Sequence, residues 1–487
     1  MKTKQFTILH SNDMHGDFLA EVEGEEGSLI GGLALLSGYL AKVRSEEENV
    51  LYVISGDMVQ GSMIDAEFRG ISTIEIMNYL APDVVTLGNH EMDYGLPHLL
   101  FLEKMASFPI VNANLYIKKY HRRLMRPHLI IRKAGFDILF IGIITDAVLQ
   151  SLKMDTQIGS FISLEEASTE VGKICNAYKH EDIDLTVLLT HIGFDSDKEL
   201  AAMLDPAWGV DLIIGGHSHT ILEQPAAVND ILIAQAGVGT DQIGRFDILV
   251  DDDTNSIVEW KWRLIPVDDD LAEPDKELQT YIDSFKDVVD RKYKAIVCRL
   301  ARKLTHPRRE EETTLGNLFA DILAERANVD VVFVGSGSIR KPELGPMVTL
   351  GDLMSIFPYD DALYKFVIAG SDLKRIFRHI MRPENRDSEG ECYQISRGIQ
   401  AVYLDESRQL ELLSISGEPV NDDQQYSIGL QGFHFKSSEA NLGLTNATLT
   451  SVVPSRLVTT SVRDVLEEHL GTHQNVNSKL EQRLVFR

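Results

Sequence analysis

Five places in the first half of the chain carry Asp, His or Asn where a β-strand should end. They are Asp13 with His15, Asp57, Asn89 with His90, His191, and His217 with His219. Apolar, β-branched runs precede them at 5–10, 50–54, 83–87, 184–190 and 210–214. Open α/β sheets place their sites at such carboxyl ends. Carboxylate, imidazole and amide oxygen, with no thiolate nearby in the sequence, are ligands for Mn²⁺, Zn²⁺, Fe²⁺ or Mg²⁺. A carboxylate such as Asp57 can bridge two ions, and a two-ion site activates water and clamps an in-line displacement at phosphorus. Gly88 to Gly95 is the densest stretch, offering an amide ligand (Asn89), a proton donor (His90) and a group to orient it (Asp93). One Asp after a strand is more often a turn or helix cap. It is the five together that point to a metal site.

These residues need a scaffold. Helical periodicity at 30–44, 71–80, 96–106 and 163–180 alternates with the strands, and further strand-like runs lie at 108–111, 136–144, 231–236, 243–250 and 256–267. This alternation predicts a layered α/β domain. The basic stretch 118–133 reads as a solvated hairpin. A charged helical stretch at 275–292 follows Asp268-Asp269-Asp270 and Pro274 and reads as an interdomain helix. Beyond it come a helix at 314–328, a strand at 330–334, a Gly-Ser turn at 335–340, strands at 363–369, 399–404, 410–416 and 425–431, and helices at 370–381 and 459–470. The expected domains are therefore 1–270, a linker at 271–297 and a smaller α/β domain at 298–487.

The bulk numbers narrow the function. At 487 residues several domains are expected. A formal charge of −27 excludes a general nucleic-acid binder, which needs a basic face. The three scattered cysteines make no disulfide framework. Together with the missing signal-type apolar run near the N-terminus and the lack of a long apolar segment, they lead us to expect a cytoplasmic protein without membrane association.

As a set, Asp13-x-His15, Gly56-Asp57, Gly88-Asn89-His90-Glu91, His191 and Gly216-His217-x-His219 resemble the calcineurin-like metallophosphoesterase signature. Leu9 to Gly16, together with Asp93, resemble more narrowly the 5′-nucleotidase family, which includes UDP-sugar hydrolases. That resemblance implies a four-layer α/β/β/α domain followed by a substrate-binding domain. It implies one metal at Asp13, His15, Asp57 and His219, and another at Asp57, Asn89, His191 and His217. His90 and Asp93 would then be the catalytic dyad. A protonated His90 can stabilise charge on the phosphate or protonate the leaving oxygen, and Asp93 can keep it cationic.

The resemblance continues into the second half. Arg309 matches the family's phosphate-binding Arg, and Gly335 to Arg340, including Gly337 and Arg340, its Gly-rich loop. Tyr359 and Phe433 match the two aromatics that stack on a base, and Asp361 stands where a base-contacting residue is common. Gly335 replaces the usual Asn, and Lys436 to Gly443 replaces a Gly-Gly-Asp-Gly segment. The expected activity is two-metal hydrolysis of nucleoside 5′-phosphates, with Mn²⁺, Zn²⁺ or Fe²⁺ as the ions. A 2′,3′-cyclic-nucleotide phosphodiesterase or UDP-sugar hydrolase is the alternative, and a nucleotide-binding sensor the non-enzymatic one.

Overall fold

A computed structural model describes residues 3–23, 27–117, 120, 122–144, 160–161, 163–358, 360–386 and 391–487. It divides into two compact units, Met1–Val289 and Asp290–Arg487. Tyr359 and the basic residues 118 and 119 lie outside the described residues.

Two six-stranded sheets form the first unit. One has the order Ser256–Pro266, Gln242–Asp251, Thr3–Ser11, Val50–Ser55, Val84–Thr86, Ile110–Val111. The other has the order Ala226–Val228, Ile231–Ala234, Leu212–Ile214, Leu185–His191, Phe136–Ile144, His128–Lys133. In each, the four site-side strands run parallel and the hairpins at the edges are antiparallel. The strand Phe136–Ile144 shows why the layers form. Phe136, Ile138 and Phe140 face Phe6, Leu51 and Val53 of the other sheet. Leu139, Ile141 and Ile143 face Val171 and Ile174 of the helix Leu164–Ala177. Both faces are buried, so the strand reads as an unbroken apolar run. Each such side chain contributes about 1.5–3 kcal/mol of burial. The helices Leu33–Glu46 and Ile71–Leu80 bury Leu36, Leu40, Ile74 and Met77 in turn, which makes the unit α/β/β/α.

The basic stretch does not form one self-contained hairpin: Arg122 and Arg123 pair with Ile117 and Tyr116, and His128–Lys133 pairs with Phe136–Ile144, with Arg132 Nε 2.7 Å from Asp137. The charged helix is Lys276–Tyr293; Tyr281 donates to Glu75 at 2.6 Å, tying its first turns to the first unit.

In the second unit a five-stranded sheet has the order Tyr393–Ile395, Val331–Gly335, Gln425–Gln431, Leu363–Ala369, Arg456–Thr459. Val332 and Val334 pack against the helices Thr314–Ala327 and Val462–Thr472. Val331 and Phe333 pack against Gly370–Ile380 on the opposite face. Val331–Gly335 and Gln425–Gln431 are parallel, so their carboxyl ends open at the same edge. The last helix starts later than the periodicity suggested: residues 456–459 pair as a strand, and Ser461 caps the helix by accepting the Asp464 N–H at 2.9 Å.

Candidate functional site

The parallel strands of the first unit bring all five predicted strand ends together. Asp13, His15, Asp57, His217 and His219 all hold left-handed backbone, with φ between 50° and 79°. Non-glycine residues rarely adopt it, and such conformations gather where surrounding structure imposes them for function. The Gly88 Cα comes so close to the neighbouring loop that a Cβ there would lie 2.1 Å from Asp57 Oδ1. The glycine before Asn89 thus lets the loops carrying Asp57 and Asn89 touch.

Three groups of possible ligand atoms lie within 4.8 Å of one another: Asp13, His15 and His219; Asp57, His191 and His217; and His15, Asp57 and His90. His15 Nε2 is 3.1 Å from His219 Nε2, and His219 Nε2 is 3.4 Å from Asp13 Oδ1. His191 Nε2 is 3.1 Å from Asp57 Oδ2 and 3.2 Å from Asn89 Oδ1. His217 Nδ1 is 2.8 Å from the same Asn89 oxygen. The opposite ring nitrogens are already engaged. His15 Nδ1–H donates to the Gln60 carbonyl at 2.9 Å, and His191 Nδ1–H to that of Ser55 at 2.8 Å. Each Nε2 lone pair is thereby aimed into the cluster, the arrangement that orients metal-binding histidines. Asp13 and Asp57 are buried. Anionic carboxylates, oriented imidazoles and an amide oxygen suit a pair of divalent ions.

His90 stands beside this cluster. Its Nδ1 lies 2.7 Å from Asp93 Oδ2, and that hydrogen bond raises its pKa. Its backbone N–H donates to Asp57 Oδ1 at 2.9 Å.

Two families' models match the chain: calcineurin-like phosphoesterase over residues 6–220 and the 5′-nucleotidase C-terminal domain over 294–441. The chain belongs to the 5′-nucleotidase family. It is a metal-dependent phosphoester hydrolase of that family. A 5′-nucleotidase-related protein of Glossina morsitans morsitans is 28% identical over 445 residues, covering 82% of this chain and 78% of the relative. The trifunctional nucleotide phosphoesterase protein YfkN of Bacillus subtilis is 25% identical over 482 residues; the match covers 88% of this chain but only 31% of that protein. In fold, the chain is similar to the 5′-nucleotidase precursor of Thermus thermophilus, with a TM-score of 0.61, 19% identity and 99% of both chains covered. No described helix is long and apolar enough to cross a membrane.

The 5′-nucleotidase C-terminal domain contains a cavity of about 500 Å³ at the open edge of its sheet. Arg309, Gly337, Arg340, Asp361 and Phe433 all line it. Phe433 is 59% exposed. Both Asp361 oxygens are engaged, Oδ1 by the Ala362 N–H at 2.8 Å and Oδ2 by the Phe433 N–H at 2.6 Å. Asp361 therefore holds the backbone that presents the ring.

Two first-unit residues were not singled out as functional in the sequence. Glu91 is buried, and its carboxylate accepts N–H bonds from Gly88 at 2.6 Å, Met58 at 2.7 Å and Asp57 at 3.1 Å. Asp197 accepts from Thr190 Oγ1 at 2.6 Å and Gln235 Nε2 at 3.0 Å, bracing the loops of His191 and His217; burial pushes its pKa up to about 7. The start of its helix Phe194–Met203 was legible in Gly193 followed by two aspartates in the first turn.

Proposed function

We propose that the chain hydrolyses nucleoside 5′-phosphates to nucleoside and phosphate. Asp13, His15, Asp57 and His219 would hold one divalent ion, and Asp57, Asn89, His191 and His217 the other. The observation that carries this is the position of Asp57, whose oxygens serve two of the three ligand groups. When bound, the ions would supply Lewis-acid charge for the phosphoryl oxygens and a water of lowered pKa. The ligand types favour Mn²⁺, Zn²⁺ or Fe²⁺.

The chain's own groups do the rest. Asp93 keeps His90 protonated, so its imidazolium donates to the oxygen on which charge develops and delivers the proton to the leaving nucleoside oxygen. Glu91 holds the Asp57 and Asn89 loops at fixed separation. In the second unit, Phe433 stacks on the base and Arg309 and Arg340 draw in the phosphate. Tyr359 is the proposed second stacking ring. Three buried free cysteines, Cys175, Cys298 and Cys392, favour a reducing, cytoplasmic setting.

A second reading, hydrolysis of 2′,3′-cyclic nucleotides or UDP-sugars, draws support from the multiple activities in the name of the Bacillus relative. A panel of 5′-monophosphates, cyclic nucleotides and UDP-glucose, assayed with added Mn²⁺, separates the two. The highest kcat/KM should fall on a 5′-monophosphate; a lead for either other class overturns the first reading.

A further inference from the structure

The second-unit cavity also contains a polar pair, Glu391 and His434; burial raises the Glu391 pKa against the opposing effects of Arg309 and the Gly337 N–H, and its Oε1 is left open. Gly335 ends the strand Val331–Gly335, and a Cβ there would lie 2.2 Å from His434 Nε2 and 3.1 Å from Glu391 Oε1. The bare Cα is what admits both groups to one spot. Both line the cavity, although they come from separate segments.

Their hydrogen bonding is complementary. His434 Nδ1 accepts from the Tyr393 hydroxyl at 3.0 Å and faces Asn441 Nδ2 at 3.4 Å. The Asn441 amide N–H donates to Nδ1, which leaves the proton on Nε2, pointing to Gly335 as an N–H donor. Burial lowers the His434 pKa to about 4, so the ring is neutral at neutral pH. Glu391 Oε1 is buried with no hydrogen-bond partner among the described residues. A buried acceptor left unsatisfied is costly, and here the open side is the cavity.

The groups are also ordered. The Phe433 ring lies 5.3 Å from the His434 ring. His434 and Glu391 meet over Gly335. Beyond them, a Cβ on Gly337 would be 3.9 Å from both Glu391 Oε1 and Arg309 Nη2, with nothing closer. Aromatic face, donor–acceptor pair and guanidinium thus follow one another as base, ribose and phosphate do in a nucleoside 5′-phosphate.

We propose that Glu391 and His434 form a vicinal-diol site that reads the ribose hydroxyls, making this a ribonucleotide-selective enzyme. Glu391 Oε1 accepts from one hydroxyl, and His434 Nε2–H donates to the oxygen of the other. This rests on the nucleotide reading above and adds a discrimination that reading does not contain. A 2′,3′-cyclic phosphate has no hydroxyl to offer Glu391, so it fits the pair poorly.

The test is kcat/KM of the metal-loaded wild-type enzyme on AMP, 2′-deoxy-AMP and 3′-deoxy-AMP, with p-nitrophenyl phosphate as a non-nucleoside control. AMP should lead at least one deoxy analogue by about tenfold or more, the worth of one buried hydrogen bond. In Glu391→Ala that ratio should collapse towards one. Equal wild-type rates on all three nucleotides overturn the diol site while leaving the nucleotide reading standing. Turnover of p-nitrophenyl phosphate with none of the nucleotides overturns the nucleotide reading, and the diol site with it. A ratio that survives in Glu391→Ala overturns the assignment to Glu391. The wild-type comparison decides the matter even if that variant does not fold.

Discussion

Glu91 Oε2 accepts the backbone N–H of Asp57 at 3.1 Å, so the side chain of one strand end holds the main chain of its neighbour. Further N–H bonds from Met58 and Gly88 make this one carboxylate the tie between two loops that carry ligands. Glu91→Gln puts an amide N–H₂ where an acceptor is needed. We expect metal affinity or activity to fall about 10- to 100-fold, the usual loss for a group that orients ligands. Metal titration followed by calorimetry checks this, and wild-type affinity would count against the tie.

Asp57 sits at the centre of the ligand groups, within 3.1 Å of His191 Nε2. Asp57→Asn should lower bound metal below the wild-type stoichiometry and cut kcat/KM by more than about 100-fold, exceeding the loss for an outer-shell partner. Elemental analysis of the purified variant reads the first effect. A chelator should take wild-type activity to the same floor, and added Mn²⁺ should restore it.

Asp93 offers a contrasting variant. Its carboxylate keeps the His90 proton in place from 2.7 Å without joining any of the ligand groups. Asp93→Asn should therefore leave metal content at the wild-type level while kcat falls about 100-fold or more, within the range for a general acid. Parallel loss of metal and activity would show that Asp93 acts by shaping the metal site.

Glu170 tests the scaffold. It is 4% exposed and receives Tyr116 at 2.6 Å, Lys173 at 2.5 Å and the Arg123 guanidinium. Burial alone would raise its pKa, but the three donors outweigh burial and lower it. A carboxylate with a depressed folded pKa stabilises the fold above its unfolded value and loses that contribution as pH falls through the folded one. Glu170→Gln should thus cost about 1–3 kcal/mol at neutral pH. The gap to wild type should narrow below about pH 4.5, where the unfolded carboxyl takes up its proton. Thermal melts of both proteins from pH 7 to pH 4 measure the gap, and a constant difference would remove Glu170 as its source.

Much of the candidate metal site was legible because its residues obey a one-dimensional rule. Parallel strands buried on both faces are continuous apolar runs, as in 136–144, and their carboxyl ends are marked by an abrupt change to polar residues and glycine. Asp13, Asp57, Asn89, His191 and His217 all sit at such changes. Asp361 was harder to read. The resemblance put a base-contacting residue there, and Asp361 lines the cavity; that its Oδ2 also holds the Phe433 N–H, a partner distant in sequence, is visible only in the fold.

The sequence by itself determined which chemistry this protein carries. Ligand types, their glycines and the strands before them are local properties, and strand pairing gathers them wherever a parallel sheet forms. Tertiary structure alone decided what Glu91, Asp197, Glu391 and His434 do. Each acts through a partner brought near by folding, and a buried carboxylate or imidazole takes its role from the donors, acceptors and empty space around it. Gly335 illustrates the difference. In the sequence it is an interruption of a familiar loop; in the fold it is the gap through which His434 and Glu391 reach one cavity.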